Sequence, residues 1–410
     1  MELKDGYKKT DIGIIPVDWE VVSLKSLCCV PMQNGVFYKP SSKGKGVRLV
    51  NVGDLYRTTP IDVENLELFD ATDEEKKRFK VENGDLFFTR SSVVPSGIAH
   101  CNIYQKIDSG CVVFDSHIIR IRSDFRKVDA HFLYRFCLSK VARTYLVAHS
   151  KTATMTTIDQ GVLGKCPVVL PTKKEQKAIA EVLSDTDNLI RALEKRIAKK
   201  CLIKQGAMQK LLTPKEDWEV KKLGEICDVR DGTHQTPNYV EIGIPFYSVE
   251  NVTKNDFKNT KFISESEHNF LTKNWKIEKG DILMTRIGSI GDCKFINWNV
   301  NASFYVSLAL LKMKKGFSGQ FLTQYSNSEF FKKEIELNSL SSAIPKKINL
   351  GQISNVKVII PLNYEEQTHI ATILSDMDSE IEALEKKRAK YKLLKQGLMQ
   401  NLLTGKIRLI

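Results

Sequence analysis

Two stretches of this sequence decide its organisation, because they are nearly the same. Residues 183–213 read LSDTDNLIRALEKRIAKKCLIKQGAMQKLLT, and residues 374–404 read LSDMDSEIEALEKKRAKYKLLKQGLMQNLLT. Twenty of these 31 aligned positions are identical. Self-similarity over such a length is the signature of a repeated structural unit.

Further matches extend the repeat toward the N-terminus of each copy. They are PVVLP at 167–171 with VKVIIP at 356–361, GDLFFTR at 84–90 with GDILMTR at 280–286, and DWEV around Trp19 with DWEV around Trp218. The offsets run from 190 to 199 residues in a chain of 410, so each copy is nearly half of the chain. The sequence therefore predicts a duplicated domain rather than a solenoid.

Each copy changes character at a proline. Before Pro171, short apolar runs broken by Gly, Pro, Asn and Ser predict strands, with a helix around residues 130–148. From about Lys174 to Leu212 there is no proline, and apolar residues recur at steps of three, four and seven, which predicts one long helix with a coiled-coil stripe. The positions expected to pair the two long helices are Ile179, Leu183, Ile190, Leu193, Ile197, Ile370, Leu374, Ile381 and Leu384.

A helix with a sustained apolar stripe must bury it, and the natural partner is the same helix of the other copy. Duplicated units usually pack about a two-fold axis, which makes the two helices antiparallel. The predicted fold class is α+β, with two mixed α/β domains joined by two long helices packed as an antiparallel coiled coil. The expected boundaries are 1–171 for the first domain, 172–213 for the central helical region, 214–361 for the second domain and 362–410 for the C-terminal helical region.

The composition narrows the kind of partner. There are 62 Lys and Arg against 49 Asp and Glu, a net charge of +13, which favours a polyanion, nucleic acid before membrane. No apolar run approaches the roughly 20 residues that span a bilayer, and the N-terminus lacks the apolar stretch of a signal peptide, so we expect a cytoplasmic protein. Nine cysteines without a C-x-x-C pair favour reduced, mostly buried thiols over disulfides or a zinc site.

Motifs that would indicate catalysis are missing from the sequence. It contains no G-x-x-x-x-G-K-[ST] loop of an ATPase and neither the glycine-rich loop nor the Asn-Pro-Pro-Tyr type strand end of a DNA amino-methyltransferase. The strings H-E-x-x-H and G-x-S-x-G are also absent, and the seven histidines have no ligand spacing. We therefore expect a non-catalytic protein without a cofactor or a metal.

Three kinds of motif stand out along the chain. They are YKKTDIGIIP at 7–16 leading to DWE at 18–20, P-x-x-x-E-Q at 171–176 with a second copy at 361–367, and the tails KQGAMQKLLT and KQGLMQNLLT. Together they resemble the specificity subunits of type I restriction-modification systems. The resemblance covers essentially the whole chain, and its one departure is an extra residue in the second copy of P-x-x-x-E-Q. It implies a DNA-reading subunit with two target-recognition domains, whose helical regions dock methyltransferase (modification) subunits in a complex that also holds restriction/translocase subunits.

Two other interpretations stay open at this point. One is a stand-alone DNA-binding regulator with duplicated domains, and the other is an enzyme whose site has no recognisable motif. The basic residues of the helices are equally ambiguous, because they suit the solvated face of a coiled coil, a phosphate-tracking strip or a docking face. They are Lys195, Arg196, Lys199, Lys200, Lys204, Lys386, Lys387, Arg388, Lys390, Lys392 and Lys395.

The two domains diverge on a retained scaffold, as expected if they read different halves of a bipartite, asymmetric target. Side chains that can address base edges or phosphates cluster in the loops after the matching strands. In the first domain the DNA-binding candidates are Lys39, Lys43, Lys45, Arg48, Asn51, Tyr56, Arg57, Arg90, Ser91, Ser92 and Lys151. In the second domain they are His234, Gln235, Tyr239, Asn251, Lys254, Arg286, Ser289, Lys346 and Lys347. Because Arg90 and Arg286 share one motif, we expect from both a phosphate or structural contact rather than base discrimination.

Overall fold

The chain divides into two compact units. A computed structural model describes residues 5–37, 40–57, 59–105, 110–340 and 343–409. Unit 1 comprises Met1–Leu193 and Lys387–Ile410, and unit 2 comprises Glu194–Lys386. Each unit therefore contains one β-rich lobe and a part of each long helix.

Unit 1 contains the first lobe. Its strands are β1 (Tyr7–Thr10), β2 (Gly13–Pro16), β3 (Glu20–Ser23), β4 (Gln33–Asn34), β5 (Lys43–Val50), β6 (Glu67–Phe69), β7 (Leu86–Thr89), β8 (Ser91–Ser92), β9 (Cys101–Ile103), β10 (Val112–Phe114), β11 (Ile118–Ile121), β12 (Lys151–Thr152), β13 (Thr156–Thr157) and β14 (Pro167–Leu170). Its α-helices are α1 (Val52–Leu55), α2 (Asp73–Arg78), α3 (Ala130–Cys137), α4 (Lys140–Ala148), α5 (Gln160–Gly164) and the start of α6 (Lys173–Leu211).

Two sheets form the framework of this lobe. One has the order β4-β11-β7-β9 and is antiparallel, and the other has the order β10-β5-β6, in which β10 runs parallel to β5. Every residue of β7 and β11 is buried, which explains why LFFT and IIRI read as continuous rather than alternating apolar runs. Leu86 and Phe88 of β7 and Ile119 and Ile121 of β11 share the main core of the unit with the apolar side chains of α3, whereas Phe87 and Ile118 face a second cluster on the other side of the sheet.

The helix predicted around residues 130–148 is two helices, α3 and α4. The Ser139 hydroxyl accepts a hydrogen bond from the N–H of Ala142 at 3.4 Å and so caps α4. A serine that caps a new helix favours a break in the preceding one, because its side chain replaces a helical backbone partner.

Unit 2 contains the second lobe. Its strands are β15 (Trp218–Lys222), β16 (Cys227–Asp231), β17 (Tyr239–Val240), β18 (Ile244–Tyr247), β19 (Lys261–Ile263), β20 (Ile282–Ile287), β21 (Ser289–Phe295), β22 (Ser303–Phe304), β23 (Leu308–Met313) and β24 (Lys357–Pro361). Its helices are α7 (Leu223–Ile226), α8 (Val249–Thr253), α9 (Glu265–Leu271), α10 (Gly319–Tyr325), α11 (Glu329–Asn338), α12 (Leu350–Asn355) and most of α13 (Tyr364–Leu402).

The second lobe repeats the strand order of the first. The sheet β16-β23-β20-β21 corresponds to β4-β11-β7-β9, and β22-β18-β19 corresponds to β10-β5-β6 with its parallel pair retained. The pair β15-β24 likewise corresponds to β3-β14. The predicted duplication is confirmed, because topology is shared even where the loop sequences differ.

The two long helices are confirmed as well, and each is 39 residues long. In unit 1 the α6 carboxylate of Asp187 pairs with Lys395 of α13 at 2.6 Å. In unit 2 the repeat-equivalent pair joins Lys204 of α6 to Asp378 of α13. Within unit 2, Lys200 also lies 2.7 Å from Glu380. As the residue number increases along α6, the number of its partner on α13 decreases. The helices are therefore antiparallel.

Eight of the nine predicted pairing residues are buried, and Ile381 is half-buried. Those near the start of each helix also fasten the helix to its own lobe. Leu183 shares a core with Trp19 of the first lobe, and Leu374 shares one with Trp218 of the second. The stripe thus serves lobe packing as well as helix pairing.

The P-x-x-x-E-Q motif joins each long helix to its lobe. In unit 1 the Trp19 indole donates to the Glu175 carboxylate at 3.0 Å. The Gln176 amide accepts from the N–H of Asp129 at 2.8 Å and donates to the carbonyl of Pro171 at 2.8 Å. Burying a glutamate and a glutamine requires such partners for their polar atoms.

Unit 2 repeats these contacts despite its extra residue. Gln367 accepts from the N–H of Ser318 at 2.7 Å and donates to the carbonyl of Pro361 at 2.8 Å, while Trp218 donates to Glu366 at 3.4 Å. The extra residue is absorbed before the helix, since α6 begins at Lys173 and α13 begins at Tyr364.

Arg408, near the end of the chain, contacts the same motif in unit 1. Its guanidinium donates to Glu175 at 2.7 Å and to Asp18 at 2.8 Å, and it lies 5.4 Å from the centre of the Trp19 ring. The hydrogen bond from Arg408 is the main reason that the pKa of Asp18 lies below its ordinary value.

Arg408→Ala is expected to destabilise the protein by about 2–3 kcal/mol, because it leaves the buried Glu175 carboxylate without its cation. Thermal unfolding followed by circular dichroism measures the effect. Lys386→Ala removes an ion pair with Glu382 in which both side chains are exposed, and it serves as the control, expected to melt like the parent. Equal melting temperatures for both variants would contradict this role of Arg408.

All nine cysteines are free thiols, of which four are buried, three half-buried and two exposed. Burial raises the pKa of Cys28 to about 11 and that of Cys227 to about 12. In the native protein at pH 8 we expect rapid alkylation of Cys29 and Cys201 alone, since a thiol reacts as its accessible thiolate. Peptide mass mapping after a short iodoacetamide pulse tests this, and early labelling of Cys227 would refute it.

Candidate nucleic-acid interface

One edge of each lobe is built by the same backbone hydrogen bonds. In unit 1 the N–H of Val36 donates to Phe114 at 2.8 Å, and in unit 2 the N–H of Thr233 donates to Phe304 at 3.2 Å. The loop edge, as we name it, comprises residues 34–37, 89–92 and 115–117 in unit 1 and residues 231–235, 285–289 and 305–307 in unit 2. It lies where several strands end, a position typical of side chains that bind ligands.

A glycine fixes the first loop of each edge. A Cβ atom on Gly35 would lie 1.8 Å from the Phe114 carbonyl oxygen, and one on Gly232 would lie 2.6 Å from that of Phe304. Only glycine fits so close to another backbone. Each of these loops then presents a ring to solvent, since Phe37 is 77% exposed and the His234 side chain is 70% exposed.

Arg90 and Arg286 occupy the same backbone position. The N–H of Arg90 donates to His117 at 2.9 Å, and that of Arg286 donates to Ser307 at 2.9 Å. Their side chains nevertheless differ in exposure. Arg286 is 4% exposed and donates to Asp231 at 2.6 Å, whereas Arg90 is exposed and its guanidinium has no polar partner among the described residues. One motif therefore gives one buried and one available cation.

Asp231 organises the edge of the second lobe. Besides Arg286, its carboxylate accepts from the N–H of Gly232 at 3.0 Å and lies 2.7 Å from His234 Nε2. Its carbonyl accepts from the Trp275 indole at 3.2 Å. The carboxylate thus holds both a buried cation and an exposed imidazole.

Asn34 takes the place of Asp231 in the first lobe. It pairs with Ile119 of β11 in the register in which Asp231 pairs with Ala309 of β23. Its amide donates to the carbonyl of Ser116 at 3.1 Å and accepts from Gln160 at 2.6 Å.

The candidates on and after β5 are held by carboxylates. Lys43 pairs with Glu67 at 2.6 Å, and Lys45 pairs with Asp70 at 3.0 Å. The remaining contacts of this group are Arg48 to Glu64 at 3.2 Å, Asn51 to Glu67 at 3.2 Å and Arg57 to Asp62 at 3.5 Å. Exposed ion pairs contribute little stability, so these cations can exchange a carboxylate for a phosphate at small cost. Lys39 lies outside the described residues.

The other candidates of the first lobe vary in availability. The Tyr56 ring is 43% exposed and stacks on His100 with its centre 5.0 Å away. Ser92 is buried and donates to the carbonyl of Val94, which favours a structural role. Ser91 is half-buried on β8, and Lys151 is exposed on β12.

In the second lobe Asn251 is buried. Its amide accepts from the N–H of Ser248 at 2.9 Å and donates to the carbonyl of Asp256 at 2.8 Å, which favours a structural role over base contact. The other candidates reach the surface. Lys254 pairs with Glu250, and Lys346 pairs with Glu336. The Lys261 ammonium lies over the ring of Tyr239, and the Ser289 hydroxyl donates to Asp292. Gln235 is exposed and Lys347 is half-buried.

Several basic residues of the helices belong to the coiled coil itself. Lys200, Lys204 and Lys395 each pair with a carboxylate of the facing helix. Among the described residues no group of His, Cys, Asp and Glu could hold a metal ion, and no described helix is long and apolar enough to cross a membrane. The candidates of the two lobes that are accessible carry cations, amides, hydroxyls and rings, which suit contacts with nucleic acid.

The repeat is also visible in a comparison with known families. The sequence profile of the type I restriction modification DNA specificity domain matches this chain twice, over residues 16–201 and 215–392. The chain belongs to this family. Each match contains one lobe and most of one long helix, so the specificity domain and the internal repeat are the same unit.

Curated relatives of this chain are named as type I specificity subunits. The MjaX specificity subunit of Methanocaldococcus jannaschii is 27% identical over 99% of this chain and 97% of that protein. The MjaVIII specificity subunit of the same organism is 30% identical over 67% of this chain and 70% of that protein. The specificity-domain family therefore includes relatives of nearly equal length.

Solved structures share the fold. The S subunit of a type I restriction-modification system from M. genitalium superposes with a TM-score of 0.64 at 17% identity and covers 98% of both chains. A chain from a structure that concerns complex assembly and conformational transition of the type I R-M system gives a TM-score of 0.54 at 17% identity, covering 96% of this chain and 99% of that chain. These likenesses extend over both lobes and both helices.

Proposed function

We propose that this chain is the DNA-recognition subunit of a type I restriction-modification complex and acts in the cytoplasm. It reads a bipartite, asymmetric target with its two lobes and leaves methyl transfer and cleavage to partner subunits. The observation that carries the proposal is the duplicated specificity domain whose two loop edges present different side chains. A shared scaffold with different contact groups selects two different short sequences.

The functional parts follow the sequence boundaries in this proposal. Residues 1–171 and 214–361 are the target-recognition domains, and 172–213 and 362–410 are the helical regions. The helix starts at Lys173 and Tyr364 support these limits. In the first domain, Lys43, Lys45 and Arg90 supply phosphate or base contacts.

Methyltransferase subunits dock on the long helices. Leu202 and Ile203 of α6 are 68% and 45% exposed, and the repeat-equivalent Leu393 and Leu394 of α13 are 69% and 49% exposed. An adjacent pair of exposed apolar residues at the same register of both repeats favours two copies of one partner.

A double substitution at each pair tests this docking. Leu202→Asp with Ile203→Asp, and Leu393→Asp with Leu394→Asp, are each expected to reduce the co-purifying methyltransferase at least tenfold without lowering the melting temperature, because charges replace an apolar contact. Ala198→Asp and Ala389→Asp are exposed, repeat-equivalent controls one turn earlier and should leave the yield unchanged. Undiminished co-purification in both double variants would rule out this docking surface.

A stand-alone regulator is the alternative, and one experiment separates the two. The chain is expressed alone and together with the methyltransferase chain of the same system, and each preparation is tested for methyl transfer to duplex DNA. We expect methylation only from the co-expressed complex. Tight, site-selective binding by the isolated chain with no gain on co-expression would favour the regulator instead.

A further inference from the structure

We propose that the residue at position 34 in the first lobe and at position 231 in the second selects which side chain of the loop edge meets DNA. The selected side chain is Arg90 in the first lobe and His234 in the second. This inference rests on the proposed function, since it names the groups through which each lobe touches its half of the target.

In the first lobe the selector is neutral. Asn34 uses its amide hydrogens on the carbonyls of Ser116 and Ile118 and its oxygen on Gln160. It therefore offers no charge to Arg90, whose exposed guanidinium has no polar partner among the described residues. A planar cation with five donors at the edge of a DNA-reading lobe suits a phosphate or a guanine edge.

In the second lobe the selector is an anion. Asp231 holds Arg286, which is 4% exposed and therefore withdrawn from any DNA surface. The same carboxylate binds His234 through Nε2, which fixes the ring and leaves Nδ1 without a polar partner in the part of the chain that the structure describes. Here the imidazole, 70% exposed, is the group offered to DNA.

The residue at position 160 in the first lobe, or 350 in the second, determines whether a neutral side chain at position 34 or 231 finds a hydrogen-bond donor. Gln160 is the first residue of α5 and donates to Asn34 at 2.6 Å. Its counterpart is Leu350, the first residue of α12, as the matching bonds of Ile158 to Arg90 and Ile348 to Arg286 establish. Leucine has no donor, so the selector of the second lobe takes its donors from Arg286 and His234.

The test uses the complete complex, co-expressed with its methyltransferase chain, and duplex DNA that contains its methylated site. Arg90→Ala and Asn34→Asp are each expected to weaken binding about five- to tenfold and to reduce the dependence on salt by about one counterion, because both remove one cation from DNA. If the new aspartate weakens binding by capturing Arg90, the double variant binds no more weakly than Arg90→Ala. Because the aspartate also loses the two hydrogen bonds that Asn34 donates, the melting temperature of each variant is measured beside its affinity. Arg78→Ala, which alters an exposed arginine on α2 of the same lobe, is the control and should match the parent.

The second lobe should respond differently. Arg286→Ala is expected to lower the melting temperature, because it leaves Asp231 without its buried cation. His234→Ala should weaken binding about fivefold at an unchanged melting temperature. A panel of single-base variants then distinguishes the two kinds of contact, since loss of a phosphate contact weakens all sequences alike and loss of a guanine contact weakens discrimination at one base pair.

The inference is overturned if Arg90→Ala leaves both affinity and salt dependence at the parent values, or if Asn34→Asp and Arg90→Ala weaken binding additively. These outcomes concern the selector alone, because they are read against a parent complex that binds its site. If the parent complex itself shows no preference among sequences, it is the proposed function that fails.

Discussion

Exchanging residues 1–171 for the equivalent domain of another type I specificity subunit is expected to replace one half of the DNA target and to leave the other half unchanged. The core of unit 1 and the core of unit 2 share no residue. A domain with its own core can be replaced without disturbing the other, so recognition should be modular. Sequencing of methylated sites in a strain that carries the chimera measures the result.

The chimera must preserve the contacts between the N-terminal residues of unit 1 and the C-terminal segment of the chain, which are far apart in sequence. Asp18 and Trp19 contact Arg408, and the Tyr7 hydroxyl donates to the carbonyl of Gly405 at 2.9 Å. The donor domain should keep these groups. The reciprocal exchange of residues 214–361 is the control and should replace the other half. A change in both halves from either exchange would refute modular recognition.

Leu183→Asp and Leu374→Asp are expected to cost more than about 4 kcal/mol each and to unfold the unit that contains the substitution. Both leucines are completely buried where a long helix packs on its lobe, and an aspartate there would be an unpaired charge in an apolar core. Leu189→Asp, on the same helix as Leu183 at 37% exposure, is the matched control.

Circular dichroism at 222 nm and limited proteolysis report the outcome. The parent and the Leu189→Asp variant should have the same melting temperature. Each core variant should lose the cooperative unfolding transition of the unit that contains the substitution, and that unit should become sensitive to protease. If both core variants melt like the parent, the packing of the long helices on the lobes is wrong.

The helices could be predicted from the sequence to within a few residues because their signal is local. The period of apolar residues marks the stripe, and Pro171 and Pro361 precede the helices. Because both copies show this pattern, each supports the helix predicted in the other. The sheets could not be predicted in the same way. The parallel pairing of β5 with β10 joins residues more than 60 positions apart, and nothing in either strand specifies its partner.

The candidate site shows the same limit at the level of single residues. The sequence places Arg90 and Arg286 in one motif, and their backbones do match, but their availability depends on residue 34 or 231, more than 50 positions away. The sequence analysis does not single out Phe37, which follows Gly35 in the same loop and is 77% exposed. Asn–Gly and Asp–Gly at the ends of matching strands were the available signal.

Methylated-site sequencing of the host genome, with and without this gene, tests the central claim most directly. The account predicts gene-dependent methylation at one asymmetric motif, made of two short specific blocks separated by a fixed number of unread base pairs. Methylation at a continuous or palindromic motif, or an unchanged methylation pattern in a strain that retains the methyltransferase gene, would contradict it.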